Sequence, residues 1–104
     1  MDRERNFGIS SERIAIGVIM ENVRKEMGMD RLNFTGDMQT DLRTYTNYLT
    51  GKTRNVELVL RFLAWLRVND EVISYETIEK EVVTLLVDDT ERIVQEKIKK
   101  YGSL

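Results

Sequence analysis

The stretch "TYTNYLTGKTRN", residues 44–55, sets two tyrosines, a threonine-rich face, a glycine and two basic residues within twelve positions. Hydroxyls, a carboxamide and cations are the groups that hydrogen-bond base edges or neutralise phosphates. The same groups also make up any solvated helix end, so the stretch by itself leaves both readings open. Few other chemistries are available. The chain has no cysteine and no histidine. Thiol nucleophiles, imidazole bases and the usual zinc ligands are therefore missing together. Carboxylates are plentiful, 18 in all, and could hold magnesium. The acidic pairs Asp70-Glu71 and Asp88-Asp89, however, read as helix starts, where the helix dipole favours negative charge. No nucleophile–base pair is legible, so the expectation is a protein that is not an enzyme and needs no cofactor or metal.

The 104 residues suffice for one domain with an appended C-terminal element. The N-terminus lacks the apolar core of a signal peptide. Apolar runs are short and broken by charges, which predicts no membrane span. Absence of cysteine suits a reducing cytoplasm. The net charge is −2, unevenly spread: residues 1–54 hold nine basic and eight acidic side chains, the rest seven and ten. A basic face is thus possible in the first half despite the acidic total.

Positioning must come from helices. Residues 1–10 read as a flexible N-terminus. Ser10 or Ser11 can cap a first helix with Ile16, Met20, Val23 and Met27 on its buried stripe, ended by Gly28. Asp30 can cap a short second helix with Phe34 and Met38 inward. Asp41 can cap a third, burying Tyr45, Tyr48 and Leu49 and closing at Gly51. A fourth starts at Asn55 and turns Val59, Phe62, Leu63 and Leu66 inward. Residues 11–70 form a domain whose core (residues 11–68) reads as complete without the remainder. Residues 71–104 follow as a helical element for self-association or a partner. Within it, residues 72–87 have some strand character, but no turn residue stands near Glu79-Lys80, which favours a helix carrying Ile78, Val82, Leu85 and Leu86. A further helix is expected to begin at Asp88-Asp89, with Val94, Ile98 and Tyr101 in a stripe and Gly102 as its stop. The fold class is all-α: a compact bundle of four to five short helices plus a C-terminal amphipathic helix. Two consecutive short helices joined by a tight turn match the helix-turn-helix pattern.

From Ile16 to Lys52 the chain resembles the Cro/C1-type helix-turn-helix family of phage repressors and bacterial regulators, ungapped over 37 positions. "IGVIMENVRKEMGM" supplies Ile16, Gly17, Met20, Val23, Arg24, Lys25, Glu26, Gly28 and Met29. Phe34 and Met38 continue the register, then Tyr45, Tyr48, Leu49, Gly51 and Lys52 in "YTNYLTGK". The following "VELVLRFLAWLRV" is similar to the family's next helix, so the likeness covers residues 14–68. There are departures. Gln39 stands at the family's turn glycine, Thr40 at the apolar position after it, Thr35 at a small alanine, and Gly36 weakens the second helix.

The resemblance implies a lambda repressor-like fold whose third helix, residues 41–50, lies in the major groove of double-stranded DNA. Carried over by register, Arg31, Leu42, Arg43, Thr44 and Asn47 would contact bases. Lys52, Thr53 and Arg54 would contact phosphates. The implied function is a cytoplasmic, sequence-specific transcriptional regulator of phage or mobile-element type, acting as a homodimer. The alternatives are the antitoxin of a toxin–antitoxin pair, whose acidic second half would cover a basic toxin, or a protein-binding inhibitor or adaptor that keeps the fold without DNA affinity; a protein partner could bind through residues 71–104.

Overall fold

In a computed structural model, which describes residues 10–101, the chain is all-helical. Residues 1–9 and Gly102 lie outside the described residues, and with them the expectations of a flexible N-terminus and of a glycine stop. Four helices start on side-chain caps of the expected kind. Ser10 accepts from the Arg13 N–H at 3.1 Å and opens α1, Ser11–Glu26. Asp30 accepts from Asn33 N–H at 2.8 Å and opens α2, Arg31–Asp37. Asp41 accepts from Thr44 N–H at 2.8 Å and opens α3, Leu42–Leu49. Asn55 accepts from Leu58 N–H at 2.9 Å and opens α4, Val56–Val68. Each oxygen satisfies a donor that the first helical turn leaves unpaired. The fifth helix, α5, runs Tyr75–Lys100 after Ser74, whose side chain makes no capping bond.

The first three helices end in the same way. At each end the last turn is closed by two backbone bonds, one from a residue with positive φ and one from the residue after it. Gly28 (φ +70°) donates to Lys25 and Met29 to Arg24; Gly51 (φ +80°) donates to Tyr48 and Lys52 to Asn47. At the end of α2 the left-handed residue is Gln39, φ +59°, which donates to the Gly36 carbonyl at 3.0 Å while Thr40 donates to Thr35 at 2.9 Å. The turn has a glycine-type geometry at a residue that carries a Cβ, at a cost of about 1–2 kcal/mol in that conformation. Gln39→Gly should therefore raise stability by roughly 1 kcal/mol, read from the urea midpoint. A lowered midpoint would show that the Gln39 side chain, whose amide reaches the Gly36 carbonyl at 3.3 Å, outweighs the strain.

The core follows the helical stripes. Ile16, Met20, Val23, Phe34, Met38, Tyr45, Tyr48, Val59, Phe62 and Leu66 are buried as expected, while Met27, Leu49 and Leu63 are only half-buried. Leu58 and Trp65 join this core as well, because α4 is enclosed over a wider arc than one stripe. Phe34 sits at the centre, edge-on to Tyr45 (5.7 Å), Phe62 (6.2 Å) and Trp65 (5.1 Å), and so ties α2 to α3 and α4. Gly17 lets α1 approach α3: a Cβ there would meet Leu49 Cδ2 at 3.2 Å.

The C-terminal region corrects three expectations. Residues 75–100 are one helix of 26 residues, so the helix favoured over the strand within residues 72–87 is borne out, but it does not stop before a further one. Asp88-Asp89 therefore starts no helix; it lies in the middle of α5, which contains neither glycine nor proline to interrupt it. The other acidic pair, Asp70-Glu71, lies in the turns ahead of α5 and does not start it either. Nor is the core complete within residues 11–68. Val82 is fully buried in it, and Ile78, Leu85 and Leu86 pack against it. The first two-thirds or so of α5 belongs to the body, running alongside α1 as far as Arg92, which pairs with Glu12 at 2.7 Å.

Candidate nucleic-acid interface

Helices α2 and α3, joined by residues 38–41, present the surface on which the expected contact residues fall. α3 is anchored by its tyrosines, both buried. At 3.6 residues per turn, burying Tyr45 and Tyr48 turns Arg43 and Asn47 to the opposite side. Arg43 is exposed, Asn47 and Thr44 are half-buried, and Leu42 at the first helical position is 42% exposed. Thr46 and Thr50 flank the same outward face. They were not among the residues picked out from the sequence, although their spacing from Arg43 and Asn47 places them there.

α3 and the segments at its two ends are held in place by polar contacts with the rest of the body. The Tyr45 hydroxyl donates to Glu21 on α1 at 2.6 Å. Arg24 donates to the same carboxylate at 2.8 and 3.0 Å, and Arg31 at 3.1 Å. Chiefly through Arg24, and then through Tyr45 and Arg31, these bonds hold the Glu21 carboxyl down at about 2 although burial opposes them. Burial, followed by Glu21, pushes the Tyr45 hydroxyl up. At the other end, buried Arg13 donates to the Gly51 carbonyl at 3.0 Å, fastening the end of α3 to the start of α1. Arg54, just beyond, pairs with the buried carboxylate of Asp89 on α5. The turn itself is held from α4. Arg61 donates to the carbonyls of Met38 (3.3 Å) and Gln39 (3.1 Å) while paired to Glu57 at 2.8 Å. Arg61 could be suspected from the sequence only through its four-residue spacing from Glu57.

The expected contact residues thus divide. Arg43 and Lys52 are exposed and form no ion pair among the described residues. Leu42, Thr44 and Asn47 lie on or beside the same face of α3, and Thr53 is half-buried in the following loop. Arg31 and Arg54 already hold carboxylates of the body, Glu21 and Asp89. Acids border the surface too. A polar cleft of about 380 Å³ at the start of α3 is lined by Gln39, Thr40, Asp41, Thr44, Glu57 and Arg61, among others. The Asp41 carboxyl there is held below the usual carboxylate range, first by the Thr44 N–H. Two residues near this turn have a physical account. Thr35 is buried, and its hydroxyl donates to the carbonyls of Arg31 (2.8 Å) and Leu32 (3.0 Å), so no polar atom is stranded. Gln39 is held by Arg61.

Among the described residues no cluster of acidic side chains could hold a metal ion, and no helix is long and apolar enough to cross a membrane. Comparison with known proteins returns no match: no family model, no curated protein and no solved structure matches the chain.

Proposed function

We propose that this chain is a cytoplasmic DNA-binding regulator of the Cro/C1 type that sets the outward face of α3 in the major groove. The observation that carries the reading is the state of that face. Arg43 stands exposed and uncommitted beside Asn47 and two threonines, on a helix whose opposite side and both ends are anchored. In this reading Arg43 pairs with guanine O6 and N7, Asn47 with adenine, and Leu42 or the Thr44 methyl touches the thymine methyl. Lys52 meets a phosphate, assisted by Thr53. Arg31 and Arg54 are secondary, since each must give up or share an ion pair to reach DNA.

Arg43→Ala should cost about 1–3 kcal/mol on a preferred duplex and relax discrimination at one base pair. Lys52→Ala should weaken binding to all duplexes alike and reduce the salt slope by about one unit. Binding isotherms at several salt concentrations, on selected and scrambled duplexes, separate the two. A wild-type chain that binds every duplex equally weakly would rule the reading out. A second reading, a scaffold that binds another protein, is favoured by one feature. Asp41 and Glu57 line the cleft beside the same helix, where a phosphate backbone would be repelled.

A further inference from the structure

α5 has two apolar faces. Ile78, Val82, Leu85 and Leu86 pack on the body. Val83, Val87, Val94, Ile98 and Tyr101 recur at helical spacing on another side, separated from the first by more than a quarter-turn. All five are exposed, by 40, 57, 50, 62 and 57%. The distal part of α5 has no cover from the body. Arg92 meets Glu12 at the very start of α1, and residues 91–101 are exposed on every side among the described residues. A helical segment of this length is marginal in water without packing, since isolated helices below about 12–15 residues rarely persist. Some surface should therefore cover it.

Charge identifies the occupant. Leaving aside Glu79, Asp89 and Arg92, which already pair with Arg67, Arg54 and Glu12 of the body, residues 76–91 hold four carboxylates and one lysine, whereas residues 92–101 hold three lysines and one carboxylate. A second α5 laid antiparallel puts the basic end of each copy along the acidic stretch of the other. A parallel one would set like charges side by side, which is repulsive. The apolar stripe from Val83 to Tyr101 is about 27 Å long at 1.5 Å per residue. It is the same on both copies, so it can form a closed two-fold contact. We propose that the outer face of α5 pairs antiparallel with α5 of a second copy of this chain. The pairing does not depend on what α3 contacts.

The test uses the full chain. Sedimentation equilibrium at micromolar concentrations should give twice the chain mass of 12.2 kDa. Val94→Asp with Ile98→Asp should return the monomer with the body still folded. Orientation is read separately, because the natural chain has no cysteine to interfere. Val83→Cys and Tyr101→Cys chains, mixed under mild oxidation, should give the mixed 83–101 disulfide as the main product. A wild type that stays monomeric overturns the proposal. So does a 101–101 disulfide as the main product, or a doubled mass that survives both aspartates.

Discussion

Phe34→Ala should lower the free energy of unfolding by about 3–5 kcal/mol, the usual cost of emptying a buried phenylalanine site. The ring is fully buried and meets three other rings edge-on, from α3 and α4. α2 has only seven residues, with Gly36 among them, and cannot persist without that packing. Domains of this size are stable by about 5–15 kcal/mol, so the variant should sit near the unfolding threshold. The loss should also loosen the turn that positions α3. Urea denaturation followed by tryptophan fluorescence reads it directly, because Trp65 lies 5.1 Å from the lost ring. Leu32→Ala, at a side chain 68% exposed on the same helix, should change stability by no more than about 0.5 kcal/mol. Equal small losses from both variants would mean that Phe34 is not the centre of the core.

Val82→Asp should cost about 3–5 kcal/mol, because it buries a carboxylate with no partner. Val82 has no exposed surface and packs in the core shared with α1–α4. Thermal melts followed by far-ultraviolet circular dichroism should show one cooperative transition shifted down as a whole. Ile98→Asp, at a residue 62% exposed on the distal half of α5, should leave the monomer fold intact. The pair divides α5 into a part that the body requires and a part that it does not. A Val82→Asp protein that loses only α5 and keeps the wild-type transition for residues 11–68 would show that the body stands alone.

The local features of this protein were legible in the sequence because the bonds that make them are local. A cap oxygen reaches three residues ahead, so Ser10, Asp30, Asp41 and Asn55 could each be assigned to a helix start. A helix repeats every 3.6 residues, so the buried face of α3 could be read from Tyr45 and Tyr48, and with it the outward position of Arg43 and Asn47. The resemblance set Gln39 at a turn glycine without predicting its backbone, and the structure shows that it takes the left-handed conformation despite its Cβ.

What needed the tertiary structure was every interaction between groups far apart in the chain. Asp88-Asp89 looks like a helix start by the local dipole rule. The rule loses because nothing interrupts α5 there and because Arg54, 35 residues away, satisfies the Asp89 carboxylate. Arg31 looked available for a base, but Glu21, ten residues earlier on α1, already holds it. The wide buried arc of α4, which takes in Leu58 and Trp65, depends on how many neighbours surround that helix, which one stripe does not record. The two faces of α5 differ in the same respect. Both are apolar and helically spaced, so periodicity treats them alike, and only the packing of α1 and α4 decides which one the body covers.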